Sequence, residues 1–388
     1  MRKKILIGIV AIAVIALAVA VVIIREPETT VPRPEYDRPL ALAPEPNVDL
    51  PVAVEMQVST IAGTGSHGAR DDDLGEGIAQ FNLPGGIFGG AAGQLLVADT
   101  YNNLIRGLET SVVHRVSGDI LGYDEFRFPM GFYRDGAQEY ALFNRPTDGV
   151  MTSAGLFIVD STNHAIRLID EGRVYTFAGG PSPGHRDGHV NQAQFNYPTA
   201  IAADSEGNLY IADTLNHVIR RIDSYGNVTT IAGIPGSAGY VNGPAEQALF
   251  SSPMGIAVSK TSGAIYIADT ENHVIRGIAD GRVSTLAGSY TPYGGFADGE
   301  QAMFTLPVGL ALYGDTLIIA DSGNHRIRAL MYDAQTITIA GTGYPDYING
   351  SGSQAAFHFP RGVHVRGDEL FIADSGNNII RKVLLELS

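Results

Sequence analysis

Short apolar runs separated by turn residues recur along the chain from residue 54 onwards. In one unit the runs TAIAAD, LYIAD, VIRRID and VTTIAG are separated by the turns SEGN, TLNH and SYGN. Runs of about five residues rich in β-branched and aromatic side chains, with Gly, Asn, Asp and Ser between them, are typical of an antiparallel meander. Each unit is therefore predicted to form a four-stranded antiparallel sheet.

The unit is repeated six times, and each copy carries two signatures. The first is Ala-x-Phe-x-x-Pro, with phenylalanines at Phe81, Phe143, Phe195, Phe250, Phe304 and Phe357. The second is Asp-x-x-Asn-(His/Asn)-x-Ile-Arg, with aspartates Asp99, Asp160, Asp213, Asp269, Asp321 and Asp374 and arginines Arg106, Arg167, Arg220, Arg276, Arg328 and Arg381. Repeats of this length indicate stacked supersecondary units that cover one another's apolar faces.

Six sheets arranged in a circle cover all their apolar faces, and that arrangement is a β-propeller. The last unit ends after its third strand, whereas an unpaired strand of the fourth type, QVSTIAG, stands before the first unit. An open ring would leave two bare sheet edges. We therefore predict an all-β fold, a six-bladed β-propeller of four-stranded antiparallel blades, closed by the N-terminal strand.

This pattern resembles the NHL-repeat family of six-bladed β-propellers, in a membrane-anchored form of bacterial type. The resemblance covers about residues 54–388 and rests on the motif LYIADTLNHVIR and its five relatives. Asn103 and Asn378 replace the histidine in two copies, and the second blade carries extra residues around Gly122 to Gln138. The resemblance implies the propeller fold without implying one activity.

The chain before the repeats is divided into three parts. Residues 1–4 form a basic tip, residues 5–24 are uninterruptedly apolar, and residues 25–53 contain seven prolines. Twenty apolar residues in a helix span about 30 Å, the thickness of the hydrocarbon core of a bilayer. We expect an uncleaved signal-anchor helix with a cytoplasmic N-terminus, a Pro-rich stalk and an extracellular propeller over residues 54–388. A cleaved signal peptide is the alternative, since Ala18-Val19-Ala20 is similar to a cleavage site.

Composition excludes several classes of site. The net charge is −15, which repels phosphate backbones, so nucleic acid is not an expected partner. Cysteine is absent, which removes disulfides, thiolate metal sites and thiol nucleophiles.

The repeated Asp, His and Arg residues admit a chemical and a structural interpretation. A carboxylate near an imidazole could bind a metal or transfer protons, but a catalytic site needs one constellation and not six equivalent ones. We interpret the motif as structural: the aspartate accepts backbone N–H groups in the turn, and the arginine pairs with a carboxylate or carbonyls between blades. No catalytic residue, metal or cofactor is predicted.

Candidate binding residues lie in two places. The first strand of each unit is expected to line the channel, where Asp148, Arg361 and His364 are candidates, with Asp204 at a strand end. The long connections between units are expected on one face together with the Asn-His turns, and loops on a rigid scaffold are common binding sites. Tyr123, Tyr290, Tyr293 and Tyr344 do not recur in register and are the candidates on that face, whereas Tyr133, His185, Tyr240, Phe296 and Tyr347 recur and are expected to hold each loop to its blade.

The leading hypothesis is a non-enzymatic, membrane-tethered binding or scaffold propeller that engages a protein, peptide or glycan at the cell surface through its loop-rich face. One alternative is a metal-dependent propeller hydrolase or lyase, for which the candidate ligands Asp148 and His364 are too few. Another alternative is an extracellular sensor that acts with a membrane partner.

Overall fold

The β-branched runs of the sequence fold into six antiparallel sheets in a computed structural model that describes residues 56–110, 112–291 and 293–385. The predicted basic tip, membrane helix and Pro-rich stalk lie outside these residues. Within the described part, no helix is long and apolar enough to cross a membrane.

The strands follow the repeats of the sequence. The chain begins with β1 (Gln57–Ala62). Blade 1 contains β2 (Ile87–Gly89), β3 (Leu95–Asp99), β4 (Leu104–Glu109) and β5 (Val112–Ser117). Blade 2 contains β6 (Gly136–Ala137), β7 (Pro146–Thr152), β8 (Gly155–Asp160), β9 (Ala165–Asp170) and β10 (Arg173–Gly179). Blade 3 contains β11 (Gly188–His189), β12 (Pro198–Ala203), β13 (Leu209–Asp213), β14 (Val218–Ile222) and β15 (Asn227–Ala232).

The remaining blades repeat this order. Blade 4 contains β16 (Gly243–Pro244), β17 (Pro253–Val258), β18 (Ile265–Asp269), β19 (Val274–Ala279) and β20 (Arg282–Ala287). Blade 5 contains β21 (Pro307–Tyr313), β22 (Thr316–Asp321), β23 (Arg326–Leu330) and β24 (Thr336–Ala340). Blade 6 contains β25 (Gly350–Ser351), β26 (Pro360–Arg366), β27 (Glu369–Asp374) and β28 (Ile379–Leu384).

Short 3-10 helices join the second and third strands of every blade. They span Thr100–Asn102, Ser161–Asn163, Thr214–Asn216, Thr270–Asn272, Ser322–Asn324 and Ser375–Asn377, and two others lie at Ala91–Gly93 and Ala245–Gln247. The next residue after each of the six turns has a left-handed backbone, as in His217 with a φ of 57°. Asn tolerates this conformation better than most residues, and Asn103 and Asn378 occupy it in two blades.

The N-terminal strand closes the ring, as predicted. Strand β1 pairs antiparallel with β28, so that Val58 lies opposite Val383 and Thr60 opposite Arg381. The innermost strands follow one another around the circle in the order β2, β7, β12, β17, β21, β26 and back to β2. The prediction of six blades is therefore confirmed.

Four sheets contain a fifth strand that the sequence analysis did not predict. Strands β6, β11, β16 and β25 belong to the long connections and pair along the outer edges of the sheets. The other two sheets have a single bridge at the same place, Asp72 to Val113 and Gly299 to Thr336. These pairings cover outer edges that would otherwise present free backbone groups.

The core consists of six apolar clusters, and each one lies between two neighbouring blades. Between blades 3 and 4, for example, Ile219 and Ala232 pack with Phe250, Ile256 and Ile267. The cluster between blades 6 and 1 joins Phe371 and Ile380 to Ile87 and Val97 across the closure. Each sheet is therefore covered on both faces by its neighbours, and no sheet leaves an apolar face exposed to solvent.

Two kinds of hydrogen bond connect neighbouring blades: the first occurs at all six junctions and the second at four of them. The residue before the repeated proline donates its backbone N–H to the left-handed His or Asn of the preceding blade, as Tyr197 does to His164 Nδ1 at 2.9 Å and Arg145 to Asn103 Oδ1 at 2.8 Å. In several blades the hydroxyl after the motif aspartate donates to the next proline carbonyl, as from Thr214 to Pro253 at 2.7 Å. A histidine can accept through Nδ1 only while its ring is neutral.

Replacing His164 with Asn is expected to remove one source of acid sensitivity. Burial lowers the pKa of His164, so the unfolded chain binds more protons than the folded one below about pH 6.5. The wild type should therefore lose stability relative to His164→Asn as the pH falls below that value, with the two proteins nearly equal at about pH 7.5. Urea unfolding across this range measures the difference.

His189→Asn is the matched control, because His189 is exposed and its ring hydrogen-bonds to Asn191 Oδ1 of its own loop and not to a neighbouring blade. A stability difference between His164→Asn and the wild type that does not change with pH would contradict the proposed bond.

Candidate functional site

The repeated Asp and Arg side chains form a buried network inside each blade. In blade 3, Asp213 Oδ1 accepts the backbone N–H of Asn196 at 2.8 Å. Asp213 Oδ2 accepts Asn216 Nδ2 at 2.8 Å and Arg220 Nη1 at 2.7 Å. Arg220 is fully buried, and burial raises the pKa of Asp213 to about 6 against the effect of the arginine charge.

Each arginine also holds the long connection that enters its blade. Arg220 Nη2 donates to the carbonyl of Arg186 at 2.8 Å and to Asp187 Oδ1 at 2.7 Å, and its guanidinium lies 5.0 Å from the centre of the Phe195 ring. The same arrangement recurs around Arg106, Arg167, Arg276, Arg328 and Arg381. The arginine therefore joins the third strand to both halves of the connection.

The structure differs from the sequence interpretation in two respects. The N–H that binds the aspartate comes from the residue after the repeated phenylalanine, such as Asn196, and not from the aspartate's own turn. The arginine contacts lie within a blade, whereas the contacts between blades are made by the histidine or asparagine of the motif. The sequence did not show that the arginine acts within a blade and the histidine or asparagine between blades, because these residues belong to one short motif.

The recurrent loop aromatics lie against these arginines. The rings of Tyr133, Tyr240, Phe296 and Tyr347 lie 5.0, 4.9, 4.8 and 5.4 Å from the guanidinium carbon of the arginine in their blade. In blade 3, His185 Nε2 instead contacts the Thr230 hydroxyl at 2.8 Å. These loops are held by a cation–π contact and by hydrogen bonds to the outer strand.

The candidate tyrosines all lie in the connections of the loop-rich face, but they differ in environment. Tyr293 and Tyr344 are 90% and 78% exposed, while Tyr123 and Tyr290 are 58% and 53% exposed. Tyr290 stacks on Tyr240 with 4.7 Å between ring centres and an angle of 6°. Tyr290 therefore also supports the loop of blade 4, whereas Tyr293 and Tyr344 are free to contact a ligand.

The insertion of blade 2 adds apolar surface that the sequence analysis did not assign to the site. Residues 122–130 form a small hairpin in which Asp124 Oδ1 accepts the N–H groups of Phe126 and Phe128, both at 2.9 Å. Phe126 at its tip is 65% exposed, and Leu121, Met130 and Phe132 nearby are also exposed. The dense aromatic composition of the extra residues was the signal that could have identified this surface.

The channel candidates belong to two innermost strands, Asp148 to β7 and Arg361 and His364 to β26. Arg361 is the second residue of β26, and Asp148 lies near the start of β7, where its Oδ2 accepts the N–H of Ile201 in blade 3 at 3.0 Å. Burial raises the pKa of Asp148 to about 7, and burial together with the charge of Arg366 lowers the pKa of His364 to about 4. In the part of the chain that the structure describes, no three His, Asp or Glu side chains are placed to hold a metal ion.

Asp204 serves a turn at the opposite end of the channel. Its Oδ1 accepts the N–H groups of Glu206 and Asn208 at 2.9 Å, and its Oδ2 accepts Asn208 Nδ2 at 2.7 Å and the Tyr210 hydroxyl at 3.0 Å. Beside this turn is a cavity of about 370 Å³, lined by the ends of β7 and β12 and by Lys260. The sequence analysis named Asp204 at this strand end but predicted no cavity beside it, because the turns of that face are short.

Comparison with known proteins identifies related sequences and folds. Residues 250–278 match the family model described as NHL repeat. The chain is 32% identical over 275 residues to Protein SUPPRESSOR OF QUENCHING 1, chloroplastic, from Arabidopsis thaliana, covering 65% of this chain and 26% of that protein. It is 31% identical over 221 residues to NHL repeat-containing protein 2 from Homo sapiens, covering 49% of this chain and 30% of that protein. The chain thus spans less than a third of the length of these two relatives.

Solved structures share the architecture. An auxiliary nutrient binding protein from Bacteroides thetaiotaomicron superimposes with a TM-score of 0.63 at 16% identity, covering 84% of this chain and 76% of that one. At this level of identity the likeness shows the fold alone.

Replacing Arg220 with Met is expected to destabilise the propeller strongly. The change leaves Asp213 buried without its cation and removes the donors that hold the carbonyl of Arg186, so the free energy of unfolding should fall by about 3–5 kcal/mol. Adding Asp213→Asn should restore part of that loss, because the uncompensated carboxylate is gone. Urea unfolding measures both, and a loss below about 1 kcal/mol in Arg220→Met would contradict a structural role.

Replacing Asp148 with Asn is expected to stabilise the protein at high pH. A carboxyl with a raised pKa binds its proton more tightly when folded, so the wild type loses stability as the pH rises from about 4 to about 7. Asn keeps an acceptor oxygen for the Ile201 amide and does not ionise. The variant should match the wild type near pH 4 and exceed it by ~1–3 kcal/mol at about pH 8 in thermal or urea unfolding.

Asp170→Asn, which removes an exposed carboxylate, is the control and should show no such trend. A stability difference for Asp148→Asn that is flat across this pH range would show that Asp148 is hydrated like a surface acid.

Proposed function

We propose that this six-bladed β-propeller, in which residues 250–278 match the NHL repeat model, is a binding module that engages a protein, a peptide or a glycan through its loop-rich face. The observation that carries the proposal is the position of the exposed apolar side chains. Most of the large ones lie in the connections of this face, and among them are Tyr293, Tyr344 and Phe126. Exposed apolar groups concentrated on one face are typical of an interaction surface.

The rigidity of the connections supports the same role. Each connection is fixed by a buried arginine, as Arg220 fixes the carbonyl of Arg186, and by pairing along the outer edge of its sheet. Loops that are ordered before binding lose less conformational entropy when a partner arrives. Exposed tyrosines on such loops combine large contact area with few rotatable bonds.

We further propose that the propeller stands outside the cell, tethered by the apolar segment 5–24 as a single-pass helix. Arg2, Lys3 and Lys4 precede that segment, which favours a cytoplasmic N-terminus. In this arrangement the loop-rich face meets partners at the cell surface. A sensing role would require a separate membrane partner, which crosslinking would capture together with the ligand.

The combined replacement of Tyr290, Tyr293 and Tyr344 with Ala is expected to weaken capture of the partner by the full chain. The measurement is crosslinking on intact cells, followed by identification of the captured species and by binding of envelope extracts. Loss of three exposed rings at a binding surface should weaken capture at least tenfold, since individual aromatic anchors contribute about 1–4 kcal/mol.

The matched control replaces Tyr225 and Tyr332 with Ala. These tyrosines are 84% and 47% exposed and lie in turns between third and fourth strands, at the other end of the channel. Equal capture by both variants would exclude the loop-rich face, and urea unfolding of Tyr290→Ala alone would separate lost contact from lost support of the blade 4 loop.

A further inference from the structure

The six blades provide an internal comparison for the start of each innermost strand. The residue before the proline is Leu83, Arg145, Tyr197, Ser252, Leu306 or Phe359, and the residue after it is Gly85, Thr147, Thr199, Met254, Val308 or Arg361. Arg145 and Arg361 are the only charged residues at these two positions. Since the other blades form the same strand and turn without a charge, the fold does not require either guanidinium.

Both arginines lie at the loop-rich end of the channel. The backbone N–H of Arg145 donates to Asn103 Oδ1 in the turn of blade 1, and the carbonyl of Pro360, next to Arg361, accepts the Ser322 hydroxyl in the turn of blade 5. These turns belong to the face that carries the long connections. The two arginines are therefore on the same side of the propeller as the exposed tyrosines.

The two arginines flank blade 1. Arg361 belongs to blade 6 and Arg145 to blade 2, and the guanidinium of Arg145 lies 4.7 Å from the centre of the Tyr101 ring in blade 1. Between them the innermost strand of blade 1 is preceded by Gly85 and Gly86, which have no side chains. Thr147 and Asp148 of blade 2 pack directly against these glycines, so blade 1 itself places no side chain between the two arginines.

Neither arginine has a carboxylate partner. In the described residues no Asp or Glu oxygen lies within 4.0 Å of either guanidinium, although both side chains are half-buried and the net charge of the chain is −15. A partly desolvated charge without a counter-ion is unfavourable. A guanidinium matches a carboxylate or a phosphate through two parallel hydrogen bonds, and such a ligand would supply the missing charge.

Arg326 shows what a structural arginine on this face looks like. Its nitrogens donate to the carbonyls of Asn324 at 3.3 Å and Thr342 at 2.7 Å, and it lies 3.8 Å from the centre of the Phe296 ring. Its hydrogen-bonding groups are therefore engaged within the protein. For Arg361, in contrast, the described residues supply no side-chain hydrogen bond, and for Arg145 they supply only the ring contact with Tyr101.

We propose that Arg145 and Arg361 form a subsite at the loop-rich mouth of the channel for a single anionic group, a carboxylate or a phosphate, carried by the ligand of this face. The inference rests on the proposed binding function and names the chemistry of its ligand. A polyanion such as a nucleic acid does not fit, because a chain with a net charge of −15 repels an extended line of negative charges.

The test titrates the full chain with glucuronate, glutarate and inorganic phosphate, followed by ligand-observed NMR, with glucose as the uncharged counterpart of glucuronate. At least one of the three anions should bind more tightly than glucose, and its affinity should fall with added salt. Arg361→Gln and Arg145→Gln should each weaken that anion by about tenfold, the usual effect of losing a hydrogen bond to a charged group. Arg326→Gln is the matched control and should bind the anion like the wild type.

Two results would overturn the inference: anions that bind no better than glucose, or equal binding by the wild type and both arginine variants. If an anion binds as expected, tighter binding of phosphate than of both carboxylates indicates that the ligand carries a phosphate, and the reverse indicates a carboxylate.

The proposed function is tested separately by the tyrosine variant. If partner capture depends on the tyrosines while the arginine variants bind anions normally, the anionic subsite is wrong and the proposed function stands. If the arginine variants lose anion binding while the tyrosine variant captures its partner normally, the anionic subsite is supported and the proposed binding surface around the tyrosines is wrong.

Discussion

The propeller depends on a buried arginine in each blade, whose guanidinium has no contact with water. Six such residues, from Arg106 to Arg381, are fully buried, and each must find hydrogen-bond acceptors inside the protein. The motif aspartate supplies one acceptor, and the carbonyls of the incoming connection supply the others. Because a buried guanidinium that loses these acceptors is strongly unfavourable, the arginine holds the connection in its path against the blade.

This constraint explains how a protein without cysteine holds long loops in place. A connection such as the one through Arg186 and Asp187 crosses from one blade to the next, pairs along the outer edge and returns to the innermost strand. The arginine anchors it in the middle, and a ring such as Tyr240 or Phe296 covers the anchor. The face that would bind a ligand is therefore fixed by the same groups that stabilise the blade.

The sequence predicted the parts of this structure that depend on repetition. Six copies of two signatures were sufficient for the blade count, and the unpaired strand at Gln57 was sufficient for the closure. The additional edge strands were not predictable, because residues such as Gly243 and Pro244 pair through the backbone and have no side-chain pattern of a strand. The bonds between blades were also missed, since the donor at Tyr197 depends on a left-handed backbone before a proline. Of the candidate tyrosines, only the coordinates separate Tyr290, which is stacked, from Tyr293, which is not.

Ring closure by β1 has a consequence for biosynthesis. The hydrogen bonds of the buried arginine join residues of the same blade that are near in sequence, such as Arg220 and Arg186 at a separation of 34 residues. Thr60 and Arg381, in contrast, pair across almost the whole described chain. Individual blades can therefore form while the ribosome is still translating, but β1 has to wait as a lone strand for a partner made last. During that interval its open edge is available to neighbouring nascent chains, so the closing step is the one most exposed to misassembly.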